Sequence, residues 1–232
     1  MSKARVIAVE GGNIFEYRAF FKKTGRAKYI SHLDLYRTIQ RSFQRAKLPV
    51  WHTLGFNPHI YLTFPLPISL GYEGVYESFD FRLITDMEPE ETVARLNAAL
   101  PEGIVIVGMA APVRKAEAIV KAEYTMLLSG KGFDGDTLLA KWQEFMAQNE
   151  IMAEKRSKKG IKTVDLKTMI HFTEGAKEGD ALALKLTLTA GINVNLNPTL
   201  VTDTFAAWAG FEADYHSIRR DRILCEDGSA FC

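Results

Sequence analysis

Apolar and polar positions alternate along the chain in stretches that change period, and those changes outline its elements. Phe15, Tyr17, Ala19 and Phe21 alternate with Glu16 and Arg18, the period of a half-buried strand. After the basic turn KKTGRAK, Ser31 occupies an N-cap position with Asp34 three residues on, an acidic capping box. A helix to about Lys47 follows. Leu35, Tyr36, Ile39, Phe43 and Ala46 share one side of it, and Asp34, Arg37, Arg41 and Arg45 the other. Pro49 stops this helix, Leu48 to Thr53 can begin a strand, and Gly55, Asn57 and Pro58 mark a loop. Pro65 and Pro67 make Tyr61 to Ile68 an edge strand that runs into a loop. Alternation returns from Tyr76 to Ile84. Pro89 opens a helix carrying Val93, Leu96 and Leu100, and Ile104 to Val107 closes the half as a strand.

The second half repeats this plan less regularly. A strand is predicted at Tyr124 to Leu128 and a helix at Asp136 to Gln148, with Leu138, Trp142 and Phe145 at core spacing. Strands follow at Ile151 to Lys155, Val164 to Phe172 and Ala181 to Thr189, with a turn at Gly175 to Asp180. Asn197 and Pro198 form an N-cap and N1 pair for a helix that Gly210 ends, and Ser217 to Leu224 is the last strand. The order β, α, β, β, α, β, met twice, predicts an α+β protein of two ferredoxin-like halves, residues 1–112 and 113–232. Each would have helices on one face of an antiparallel sheet.

Composition narrows the function classes. The 232 residues are 47% hydrophobic with a formal net charge of +1, so the chain folds, and any polyanion site must come from local clustering. Cys225 and Cys232 are too few for a disulfide framework or a cluster site, and no apolar run has signal-peptide or membrane-spanning length. The expectation is a cytoplasmic protein with no cofactor, no metal and no membrane contact.

Basic residues concentrate at Lys22, Lys23, Arg26 and Lys28, at Arg37, Arg41 and Arg45, and at Lys155, Arg156, Lys158, Lys159 and Lys162 in a hairpin. Brought together, they would form a phosphate track for RNA. A solvated helix face and a lysine-rich loop would account for the same residues. His32, just inside a helix N-terminus, is expected to be neutral there, as a base or as a residue that bonds a neighbouring loop. His59 could pair with it as acid and base in metal-independent RNA cleavage, or join His52 on a metal, but neither proposal has a third partner. Tyr61, Phe64 and Tyr72 could stack bases or serve as core.

The stretch from Phe20 to Leu83 resembles the radical-SAM-associated domain family of unknown function, whose members are fused to, or encoded beside, radical SAM proteins. The resemblance rests on Ser31, His32 and Asp34 in SHLDL with Arg37 and Arg41, on Leu48 and Pro49, and on Gly55, Phe56, Asn57, Pro58 and His59 in GFNPH. Gly71 with Glu77 completes it. KKGIKTVDL and Asn197 with Pro198 extend it over nearly the whole chain, which lacks the CxxxCxxC of the radical enzymes. It implies a radical SAM protein as partner; taken together with the basic clusters, it leads to the expectation of an RNA-associated accessory protein that presents tRNA or rRNA to that partner. A ribonuclease or nucleotide-modifying enzyme using His32 and His59 is the alternative, and an adaptor whose edge strand near Tyr61 to Ile68 a partner completes is another. A looser, fold-level likeness to the RAMP ribonucleases that process CRISPR transcripts implies paired ferredoxin-like halves, although their glycine-rich C-terminal loop is missing here.

Overall fold

The computed structural model describes residues 4–9, 12–157 and 160–231. The chain divides into two compact units, Met1–Ala118 with Ala230–Cys232, and Ile119–Ser229. The division falls six residues beyond the expected 112/113 boundary, because the strand that opens the second unit begins at Ile119.

In the first unit, β1 (Arg5–Val9) and β2 (Gly12–Lys23) form a hairpin, and α1 (His32–Arg45), β3 (Leu62–Thr63), β4 (Glu73–Leu83), α2 (Pro89–Ala99) and β5 (Ile104–Ala110) follow. Strand β2 pairs with β4 on one side and with β1 and then β5 on the other, and β3 pairs with the far edge of β4, all antiparallel. Leaving out β1, the order is β5, β2, β4, β3. The odd positions of β2 and β4 build the core: Tyr17 stacks on Phe81 at 5.7 Å and Phe21 meets Phe79 at 5.6 Å, with Phe43 of α1 5.0 Å from Phe81. Ser31 caps α1 as expected, its Oγ accepting from Asp34 N.

The two helices of this unit close each other's ends. Arg45 Nη2 donates to Ala99 O at 2.7 Å, and Arg95 Nη2 donates to Ala46 O and Lys47 O at 2.7 and 2.6 Å. Cations thereby satisfy carbonyls that have no acceptor role left inside the helix. The expected strands at Leu48 to Thr53 and Tyr61 to Ile68 shrink to β3 and two isolated bridges, Val50 to Leu83 and His52 to Ile60. Pro49, Pro65 and Pro67 remove the donors a longer ladder needs.

The second unit contains β6 (Ile119–Gly130), α3 (Gly135–Ala147), the hairpin β7 (Met152–Ser157) and β8 (Gly160–Asp165), β9 (Ile170–Glu178), β10 (Ala181–Thr189), α4 (Pro198–Ala209) and β11 (Ala213–Cys225). Four of the strands form an antiparallel sheet in the order β11, β6, β10, β9, while β7 and β8 pair only with each other. Leu182, Leu184, Leu186 and Leu188 are buried on one face, and Trp142, Phe145 and Phe205 cluster with ring centroids 5.1–5.8 Å apart. The expected strand Val164 to Phe172 is broken by a 3-10 turn at Leu166–Met169, whose Leu166 is buried. Gly175 is within β9 and not in a turn: a Cβ there would collide with Trp142 of α3, so glycine permits the helix to approach. Asn197 caps α4, and Gly210 ends it at φ 80°.

Candidate functional site

The cations of the first unit are mostly committed to the fold. Lys23 is fully buried and its Nζ donates to Lys28 O at 3.2 Å, so the expectation that it contacts phosphate is corrected. The end of β2 is a core position, and no local pattern in KKTGRAK distinguishes it from Lys22, which is exposed. Arg37 pairs with Asp34 at 3.6 Å and Arg45 closes α2, while Lys28 lies 5.2 Å from the ring of Tyr29. Glu73 places a carboxylate in the basic turn by accepting from Gly25 N at 2.8 Å. Arg26 and Arg41 are exposed.

His32 stands edge-on to Phe64 at 5.0 Å, and its Nδ1 is buried without a hydrogen-bond partner among the described residues. Its pKa is lowered, first by burial and then by the charge of Lys23, rather than by the helix end invoked from the sequence. It makes no hydrogen bond to the GFNPH loop among the described residues.

That loop is closed by its own polar groups. Thr53 N donates to His59 O at 2.8 Å, and His59 N donates to Thr53 Oγ1 at 3.2 Å. His59 Nδ1 lies 3.1 Å from Asn57 O and 3.0 Å from Thr53 Oγ1. A carbonyl only accepts, so Nδ1 is the donor in the contact with Asn57 O. His59 is thus a loop-closing residue. The loop presents Leu54 and Phe56, 87% and fully exposed, with Gly55, Asn57 and Pro58 also at the surface. His52 is exposed beside it, and no group of three or more metal-ligating side chains occurs among the described residues. Of the aromatics considered for stacking, Tyr72 is buried in the core, and the half-buried Phe64 packs against Phe21, His32 and Phe79.

The β7–β8 ribbon differs. Lys155 stands directly opposite Lys162, and Arg156 opposite Ile161. Lys155 Nζ donates to Asn195 O, and Lys162 is exposed. Lys158 and Lys159 lie outside the described residues. The acid within the described ribbon ladder is Glu154, opposite Thr163, with Asp165 at its base. Asp165 Oδ1 accepts from Ile151 N and Lys167 N, both at 3.0 Å, and so fixes the ribbon's root.

The sequence reading missed a cavity of about 610 Å³ in the first unit. On its floor Arg18 and Asp80 are cross-strand partners, joined by two bonds of 2.7 and 2.9 Å, and beside them Arg82 binds Glu16 Oε1 at 2.9–3.0 Å. Arg18 lies 4.2 Å from the ring of Phe231 and Arg82 3.9 Å from that of Tyr61. Burial raises the pKa of Asp80 against the opposing pull of Arg18. Arg5, Arg114, Lys115 and Glu117 also line it. The available signal was the polar member of each alternation, Glu16 and Arg18 against Asp80 and Arg82, but which strands pair is not local information.

The chain belongs to a bacterial family described as "Uncharacterized protein conserved in bacteria (DUF2344)", whose profile matches residues 16–198. No characterised protein matches it in sequence. Among solved structures it is similar to the crystal structure of a Cbf5-Nop10-Gar1 complex, at 14% identity and a TM-score of 0.48, over 82% of this chain and 45% of that one. It is also similar to the archaeal box H/ACA sRNP Nop10-Cbf5 complex, at 14% identity and a TM-score of 0.46, over 88% and 46%. The chain thus spans under half the length of either. No helix of the described residues is long and apolar enough to cross a membrane.

Proposed function

We propose, with membership of that bacterial family as the premise, that the chain is an RNA-associated accessory protein that serves a radical SAM partner in tRNA or rRNA modification, in the cytoplasm. The observation that carries this is the β7–β8 ribbon, where Lys155 and Lys162 are directly opposite in the ladder, within a stretch whose sequence also holds Arg156, Lys158 and Lys159. Like charges directly opposite on a two-stranded ribbon repel, and a bound phosphate backbone converts that repulsion into attraction. The chemistry belongs to the partner, and this chain supplies surfaces. Each unit reads as a split βαβ sandwich of the ferredoxin-like kind, which is supported by the same antiparallel strand order in both, fourth, first, third, second.

The test is fluorescence anisotropy of a short single-stranded RNA across a salt series. Binding should weaken steeply with salt, and the Lys155→Glu/Lys162→Glu protein should show a log–log slope shallower by roughly 1.4, about 0.7 per contact. Salt-insensitive binding, or an unchanged slope, defeats the RNA reading.

A second reading, the adaptor, is favoured by one observation: the self-closed Thr53–His59 loop holds Phe56 in solvent. An aromatic side chain presented on a preorganised loop is a suitable anchor for a protein partner. In this reading Phe56→Asp abolishes co-purification with the radical SAM protein while the melting temperature stays put. Retention of the partner by that variant would exclude the loop as the contact.

A further inference from the structure

We propose that a second cavity of the first unit, lined by the start of α2 and the end of β5, binds a small ligand with a ring-sized apolar body and one positive charge, independently of the ribbon that carries the RNA reading. Its volume of about 410 Å³ lies within the usual range of small-ligand sites. Strand pairing explains why it is open. Phe20 of β2 is opposite Ser78 of β4 and Gly108 of β5, and the register slips immediately after it, so that Val107 is an extra residue in β5. Such a bulge interrupts the ladder. Gly108 has no side chain to cover its neighbour Phe20, and beyond its chain neighbours no heavy atom lies within 4 Å of where its Cβ would be. Its φ is not in the left-handed region, so neither backbone conformation nor close packing calls for glycine here. The missing side chain leaves a slot beside an aromatic ring.

The walls select the ligand. Phe20 and Tyr76 stack with ring centroids 5.2 Å apart and planes 19° from parallel, and Val93, Val107 and Met109 make the rest of the lining chiefly apolar. Aromatic faces carry negative partial charge, so they accept a cation as readily as a ring. Among the described residues Glu90 is the one charged group of the lining; it is exposed and makes no hydrogen bond or ion pair. A helix start carries about half a positive charge that opposes a cation, but Glu88 and Glu90 together exceed it, while Glu91 is taken up by Arg95. An anion would meet a carboxylate and no cation in this lining, and a neutral ring would leave Glu90 unused. An amine on an apolar body engages both.

Isothermal titration of the full chain at neutral pH with phenethylamine, phenylethanol and phenylacetate varies the charge at nearly constant size. The amine should bind about fivefold or more tighter than the alcohol, with phenylacetate the weakest of the three. Gly108→Leu fills the slot and should weaken amine binding about tenfold or more, with the fold checked by circular dichroism. Glu90→Gln, at an exposed position, keeps the shape and should reduce the amine's lead over the alcohol to about twofold, the share that the aromatic faces supply. No binding of the amine, equal binding of amine and alcohol, a preference for phenylacetate, or unchanged binding in both variants overturns the proposal. Should Gly108→Leu fail to fold, the Glu90→Gln comparison decides alone. Lys155→Glu/Lys162→Glu should bind the amine as wild type does, so this site and the ribbon fail separately.

Discussion

The α1 surface and the β7–β8 ribbon carry similar numbers of basic residues, yet their charges are used in opposite ways. Around α1, Lys23 is buried, Arg45 closes the end of α2, and Arg37 has Asp34 beside it. In the ribbon, Lys155 and Lys162 are opposite each other in the ladder; Lys155 Nζ donates to Asn195 O, and Lys162 is exposed. Charge counted along a chain is therefore different from charge available to a ligand. A cation that satisfies a carbonyl or fills a core position is a structural part of the fold, and its removal is read in stability. A cation left exposed, such as Lys162, is open to an external anion, and under the proposed function its removal is read in binding.

Four substitutions break or sharpen this contrast, taken from the largest effect down. Arg18→Ala strands the half-buried Asp80 carboxylate and should cost about 3 kcal/mol in urea unfolding, whereas Arg18→Met with Asp80→Leu should recover most of that. Recovery failing in the double variant would mean that the pair contributes more than mutual neutralisation. Arg45→Ala should cost about 1–2 kcal/mol, because Ala99 O loses the shorter and charged one of its two donors and keeps only Ser42 Oγ, and should shift the RNA salt slope by less than one contact's worth. A large slope change with little loss of stability would return the α1 face to the RNA surface. Ser31→Ala removes an N-cap and should cost about 1 kcal/mol, with no effect on RNA affinity.

The smallest effect is that of pH. The folded state lowers the pKa of His32, through burial first and Lys23 second, so the unfolded chain takes up a proton that the folded one rejects. His32 therefore adds stability above the ordinary histidine pKa of 6.5, and that stability is lost as the pH falls below 6.5 toward the depressed folded value. His171 has the same direction of shift, from burial and then Lys121, so the comparison must be between wild type and His32→Phe. The variant should lose less stability than wild type when unfolding is repeated at progressively lower pH. Equal losses would show that His32 is not the group responsible.

Much of the fold was legible because helices and strands announce themselves locally. The capping box at Ser31 and Asp34, the Asn197–Pro198 start and the alternating leucines of β10 were each read in place. Where prolines and glycines carried the expectation, the outcome depended on neighbours. Gly175 suggested a turn and instead makes room for Trp142, and the proline-rich stretch after Tyr61 retained only two strand residues. Hairpin β1–β2 began earlier than its alternation suggested, since Val6 and Val9 remain exposed and carry no core pattern.

The candidate sites divide in the same way. The histidines, the GFNPH loop and the basic ribbon stand out by residue type alone, but their roles do not. His59 closes its loop through Thr53, and His32 lies against Phe64, 32 positions away in the chain. The cavity was invisible because its floor joins residues 62 apart, Arg18 and Asp80, that meet only through strand register. By itself, then, the sequence determined the elements, their caps and the sign of each charge, for these follow from interactions within a few residues. Only the tertiary structure decided which charges are buried, paired or left facing one another, because desolvation and Coulomb attraction depend on distance in space and not along the chain.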